Sequence, residues 1–194
     1  MQTNNMVKTA QTGGKLTVYQ MTATALMATL MCIFGPLSVP IGPVPISLTN
    51  LVIYFAVYIL GTKLGTLSYV IYFLLGIFGL PVFSGFSGGF AKLAGPTGGY
   101  LVGFILTAVI SGIFVQRGKN RRSIAVTGMV LGTLAAYVLG TAWFIFLTKN
   151  SLLASLMMCV IPFLPGDGIK IALAAIFGSM IRERLNRAGI LKED

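Results

Sequence analysis

The stretch "PFLPGDGIKIALA", residues 162 to 174, holds Asp167, and no residue before it in the chain is acidic. Lys170 follows three positions later, so on a helix opening near Gly166 the two side chains share a face and can pair. A carboxylate in a first helical turn caps free amides and suits the positive end of the helix dipole, which would account for Asp167 alone. Lys170 needs more. One turn inside an apolar segment an ammonium is expensive and marks function, unless its stem carries the charge outward. Together the pair offers an acceptor and a donor to a small polar ligand that presents an N–H beside a carbonyl or carboxylate.

Other polar groups gather at the same end of the chain's apolar runs. Thr49 and Asn50 open the second run, Tyr100 opens the fourth, and Lys92 is the one base in the loop "GLPVFSGFSGGFAKLAGPTGGY". A helix cap, an interface tyrosine and a solvated lysine are the plain alternatives for them. Phe83, Phe86 and Phe90 are costly to leave in water, so the Gly-rich loop 79–97 is expected to fold back over the mouth of a bundle. A turn that caps helices with no ligand beneath it fits the glycine content equally well. The chain has no His, no Gly-x4-Gly-Lys, no paired carboxylates and no activated nucleophile, so an enzyme is not expected, nor a metal or cofactor. Cys32 and Cys159 lie in apolar runs without a Cys-x-x-Cys pair and are expected as buried thiols.

The elements that must position these residues are membrane spans. Of 194 residues 56% are hydrophobic and 9% charged, with a mean hydropathy of +0.89, too apolar for a soluble domain of this length. The formal charge of +10 would suggest nucleic acid in a soluble chain, but here the bases cluster between apolar runs, which is a topology signal. The reading is an all-α integral membrane protein, one domain over 1–194, with a tail at 1–16 and spans at about 17–34, 48–61, 64–78, 98–116, 124–147 and 166–183. The first run is long enough to remain as a span and does not read as a cleaved signal. The second and third are short for a bilayer, and Pro162 and Pro165 are expected to break the segment before the last helix.

With six spans, Lys8, Lys15, Lys63, Arg117, Lys119, Arg121, Arg122, Arg182, Arg184, Arg187 and Lys192 fall on one side. That side, with both termini, is expected to be cytoplasmic. The loops 35–47, 79–97 and 148–166 then face outward. Four prolines in "GPLSVPIGPVPISLTN" favour an extended, stiff connection in the first of them. Trp143 is expected in an aromatic belt, and the pairs Gly61/Gly65 and Gly128/Gly132 at close helix contacts. In the first span Thr24/Ala28 and Ala25/Thr29 form a surface of small residues that admits another helix, from this chain or from a partner.

The segments "GPVPISLTNL", "GLPVFSGFSGGFAKLAGPTGGYLVGF" and "PFLPGDGIKIALA", in this order, resemble the BioY family, the biotin-specific substrate-binding components of energy-coupling-factor (ECF) transporters. The resemblance covers nearly all the chain after its N-terminal tail. Gly95 to Tyr100, including Gly98, and Pro165 to Asp167 are its most specific parts. It implies a six-helix protein of the bacterial cell membrane that captures biotin from outside and works with a transmembrane coupling subunit and two cytoplasmic ATPases.

Where family members often carry "ITLQTL", this chain has "ISLTNL", so the amide there is expected from Asn50. The family's Ala-x3-Ala docking motif is replaced by Thr24, Ala25, Ala28 and Thr29. The expected site sets the biotin rings on Phe90, Tyr100 and other aromatic surface. Asp167 accepts from a ureido N–H, Lys170 donates to the ureido oxygen or pairs with Asp167, and Lys92 or Lys170 holds the acid tail. The alternatives are another water-soluble vitamin on the same scaffold, a self-sufficient secondary carrier, and a structural membrane protein without a small ligand.

Overall fold

A chain in hydrocarbon must satisfy its backbone hydrogen bonds within itself, and helices do so inside one segment. The computed structural model describes residues 16–40, 42–118 and 121–187, and it is built from apolar helices. The expected N-terminal tail with Lys8 and Lys15, and the bases Lys119 and Lys192, lie outside the described residues. Helix α1, Val18–Phe34, opens on a capping box: the Thr17 hydroxyl accepts from the Gln20 amide, and the Gln20 side chain accepts from the Thr17 amide at 3.0 Å.

Helix α2, Thr49–Ile77, is not a straight rod. Gly61 sits at φ 76°, ψ −177°, a left-handed conformation that glycine adopts without a Cβ penalty. The chain reverses there, which is why Gly65 lies against the backbone of Val57 instead of two turns away from it. The result is a helical hairpin with legs 49–60 and 62–77, the two short spans of the sequence reading. At ~1.5 Å per residue the legs reach only about 18 and 24 Å, short of a bilayer core of ~30 Å.

After the Gly-rich loop and its short helix α3, Phe90–Ala94, come α4, Gly98–Arg117, and α5, Arg122–Thr148, which pack along each other. Small residues let them approach: Gly103 rests on Ala136, Gly128 on Phe114, and Gly132 on Thr107 and Ser111. The last segment runs from α6, Leu152–Cys159, through a 3-10 turn, Ile161–Phe163, to α7, Leu164–Leu173, a π turn, Ala174–Gly178, and α8, Ser179–Arg187. The expected break before the last helix is this 3-10 turn at Pro162. The helix after it starts at Leu164, two residues earlier than expected, because Pro165 fits a first turn, where no backbone donor is required of it.

The described residues thus form six apolar helical segments: α1, two hairpin legs, α4, α5 and the broken last segment. Long, apolar helices of this kind can cross a membrane, and the protein is a multi-pass membrane protein. Two loops differ from expectation. The proline-rich connection closes into a small antiparallel ribbon, β1 Ser38–Val39 against β2 Ile46–Ser47, instead of one extended strut. Of the three phenylalanines of the Gly-rich loop only Phe83 is buried, its ring on Gly76 and edge-on to Tyr72, while Phe86 and Phe90 are each 68% exposed. Cys159 is buried, but Cys32 is only partly so.

Candidate ligand-binding site

Between the ribbon, the hairpin, α4, α5 and α7 lies a cavity of about 640 Å³ counted with its open mouth. Asp167 and Lys170 stand in its lining, each 6% exposed. Helix α7 aims both inward from one face, and Lys170 Nζ lies 3.0 Å from Asp167 Oδ1. Burial of the two charges is tolerable because each has further partners. Asn50 Nδ2 donates to Asp167 Oδ1 at 2.8 Å, the Tyr137 hydroxyl donates to Oδ2 at 2.5 Å, and Lys170 Nζ donates to the Ser47 carbonyl at 2.7 Å.

All three hydrogen bonds that Asp167 accepts come from side chains, so it does not cap its helix. One carboxylate therefore ties together the first hairpin leg, α5 and α7, and Lys170 adds the ribbon. A carboxylate only accepts, so Asn50 must turn its amino group toward it, and this fixes where the other end of the amide points. Asn50 Oδ1 is buried without a partner among the described residues, as is the hydroxyl of Thr97 on the same lining. Lys170 uses two of its three N–H donors. The cavity thus keeps spare acceptors on Asn50 and Thr97 and a spare donor on Lys170, facing a shared space.

The sequence-derived residues divide. Asp167, Lys170, Asn50 and Tyr100 line the cavity; the Tyr100 hydroxyl donates to the Cys159 carbonyl at 2.9 Å and meets Thr141 at 3.2 Å. Gly98, Phe90 and Lys92 do not line it. Gly98 is buried at the start of α4, where a Cβ would meet Leu93 and the Trp143 indole. Phe90 points away, since α3 turns its first residue to the outside. Lys92 is half-buried in α3, and that burial holds its ammonium pKa below the ordinary lysine value. Trp143 is partly exposed and donates to the Gly95 carbonyl at 3.0 Å, which fastens the loop to α5.

The picture of a Gly-rich lid needs correction. That loop gives the lining only Ser84 and Thr97, whereas the proline-rich ribbon gives Val44, Pro45 and Ser47, with Val44 packed on Tyr100, Tyr137 and Phe163. Gly85 N to Pro36 O, 3.1 Å, joins the two loops. Sequence reasoning missed Tyr137, Ser47, and the pair Tyr54 and Thr133, whose hydroxyls lie 2.6 Å apart in the cavity wall. The available signal was a hydroxyl in the middle of an apolar run, at Thr133 and Tyr137.

Known proteins are similar to this chain over most of its length. A family model, BioY family, matches residues 5–187. The chain is 39% identical over 169 residues to a probable biotin transporter BioY of Pyrococcus horikoshii, covering 86% of this chain and 95% of that one. With the biotin transporter BioY of Thermotoga maritima the identity is 34% over 164 residues, covering 84% and 96%. Among solved structures, the S-component for biotin from an ECF-type ABC transporter superposes with a TM-score of 0.80 at 32% identity, covering 87% of this chain and 95% of that one.

Proposed function

Since the chain belongs to the BioY family, we propose that it captures biotin as the substrate-binding component of an ECF-type transporter, with the Asp167 cavity as its site. The observation that carries this reading is the set of unspent groups around one ion pair: spare acceptors on Asn50 and Thr97 and a spare donor on Lys170. A cyclic urea presents N–H groups on either side of one carbonyl. Its oxygen takes the third Lys170 hydrogen, and its N–H groups take Asn50 Oδ1 and a free lone pair of the Asp167 carboxylate. Tyr100, Phe104 and Phe163 supply the apolar surface for the fused rings.

The acid tail lies toward the mouth, since Lys170, the cation of the lining, is committed to Asp167. Ser84 and Thr97 bracket the loop segment that carries Lys92, and Lys92 is the cation we assign to the tail. The bases at the hinge, at the α4–α5 turn and on α8 face the cytoplasm with both termini, and the cavity opens outward. The protein binds without driving transport itself; a membrane coupling subunit and two ATPases supply the energy. Thr24 and Ala28 are buried against the rest of the bundle, so the docking face on α1 is the exposed side with Ala25 and Thr29.

Calorimetric titration of biotin into the purified protein tests the site. Asp167→Ala and Lys170→Ala are expected to lose at least ~1–3 kcal/mol of binding free energy, the cost of an unsatisfied buried partner. Lys92→Ala is expected to weaken biotin but not a biotin amide. Unchanged affinity in the first two variants overturns the site, and a vitamin other than biotin that binds more tightly overturns the substrate.

A further inference from the structure

The helices that line the Asp167 cavity enclose a second, smaller one at their other end. It measures about 240 Å³ counted with its opening and is lined by Tyr58, Val115, Arg121, Arg122, Ala125, Ser179 and Arg182. Arg121 and Arg122 at the start of α5 and Arg182 on α8 stand together in its lining. Among the described residues the ion pairs are Lys170 with Asp167 and Arg187 with Glu183, so none of the three arginines is matched by a carboxylate. Tyr58 is 4% exposed, and its buried hydroxyl and the buried Nη1 of Arg182 have no hydrogen-bond partner among the described residues. The N-terminus of α5 adds its positive end without a side-chain cap.

We propose that this cavity binds the phosphate group of an anionic phospholipid. Guanidinium groups only donate and Tyr58 has a proton to give, so the missing partner is an anion with several acceptor oxygens. Free phosphate has that chemistry too, but the position favours a lipid. The cavity lies where the helices end, and Phe177, Met180 and Ile181 lie exposed beside it on the last segment, an apolar track for acyl chains. A zwitterionic headgroup would bring its ammonium up to three arginines. Phosphatidylglycerol brings none, and basic pockets between spans select such headgroups.

The test uses the full chain in nanodiscs of phosphatidylcholine with and without phosphatidylglycerol, read by native mass spectrometry of retained lipid and by thermal unfolding. The wild type is expected to retain phosphatidylglycerol preferentially and to unfold at higher temperature with it, an effect that shrinks with salt. Arg182→Gln is expected to weaken retention about fivefold, the factor one charge near the surface supplies. Tyr58→Phe weakens it while biotin binding stays at wild-type level, which shows that the variant is folded. Arg187→Gln, whose partner is Glu183, leaves retention unchanged. Equal retention of the two lipids, or wild-type retention in both Arg182→Gln and Tyr58→Phe, overturns the proposal. An equal thermal shift from inorganic phosphate in phosphatidylcholine alone overturns the lipid as source. If selectivity emerges only after deletion of residues 188–194, Glu193 and Asp194 of the chain itself fill the site and the proposal is also overturned.

Discussion

The two cavities sit at opposite ends of the same helices and handle charge in opposite ways. At the Asp167 end one ammonium and one carboxylate, each 6% exposed, are matched to each other and to groups from the ribbon, the hairpin and α5. At the Arg182 end three cations meet with no counter-charge among the described residues. The difference is one of depth. An unpaired charge inside the bundle costs several kcal/mol, so a buried lysine persists only with its partners built in. Arg121 and Arg122 at the helix end stay exposed and hydrated, and the half-buried Arg182, with its Nη1 out of reach of water, is left for whatever the interface brings.

The strongest test of this contrast is to remove one charge from each end and follow thermal unfolding in detergent. Asp167→Ala leaves Lys170 buried with only the Ser47 carbonyl and is expected to cost about 3–5 kcal/mol. Arg182→Gln is expected to cost less than ~1 kcal/mol. Replacing both members of the buried pair, Asp167→Leu with Lys170→Met, should recover most of the lost stability while leaving biotin unbound. A double variant as unstable as Asp167→Ala would mean that the carboxylate acts by tying helices together rather than by neutralising the lysine.

A pair of tyrosines sharpens the comparison at smaller scale. The Tyr137 hydroxyl donates to a carboxylate, so Tyr137→Phe is expected to cost about 1.5–3 kcal/mol, the worth of a hydrogen bond to a charged group. The Tyr58 hydroxyl has no partner among the described residues. In phosphatidylcholine Tyr58→Phe is expected to be neutral or slightly stabilising, because it removes a buried polar group that nothing satisfies. A loss at Tyr58 as large as that at Tyr137, measured without anionic lipid, would place an internal partner on Tyr58.

Glycines give the next contrast. Gly61→Ala forces a Cβ into the left-handed hinge and is expected to cost about 1–2 kcal/mol. Gly168 lies in α7 with open space where a Cβ would go, and Gly168→Ala is expected to gain up to ~1 kcal/mol from helix propensity. Chemical denaturation of the two variants side by side checks both signs. Equal costs would mean that the chain does not reverse at Gly61.

The ion pair was legible because charge in an apolar run is rare: no acid precedes Asp167, and Lys170 follows it at helical spacing. Asn50 was legible from its place at the head of a run. The hairpin was half legible, since Gly61 and Lys63 divide two runs, but a glycine does not announce its φ. Tyr137 was hidden among other tyrosines whose hydroxyls bond backbone carbonyls of other segments, such as Tyr69 to Leu101 and Tyr72 to Val82. Ser47 was hidden for another reason: it contributes a backbone carbonyl, which any residue type would supply. Phe90 shows the converse, a residue type suited to a site but turned by α3 away from its lining. The small-residue surface of α1 was open in the sequence because spacing names a face, not its neighbour; burial assigns Thr24 and Ala28 inward and Ala25 and Thr29 outward.

The smallest effect belongs to the ion pair between Arg187 and Glu183 at the basic end. Arg187 Nη2 lies 2.6 Å from Glu183 Oε1, closer than Lys170 to Asp167, yet the two side chains are 78% and 52% exposed. Water screens this pair, and holding two long side chains costs rotamer entropy, so Arg187→Gln is expected to change stability by no more than ~0.5 kcal/mol. That small change should vanish at high salt, whereas the Asp167→Ala loss should persist because the bundle excludes the screening ions. Thermal unfolding of both variants across a salt series separates the cases. Distance would then be shown to say little by itself, and the exposure of the partners would decide what an ion pair is worth. A salt-insensitive loss at Arg187 as large as that at Asp167 would break the distinction between the two ends of the molecule.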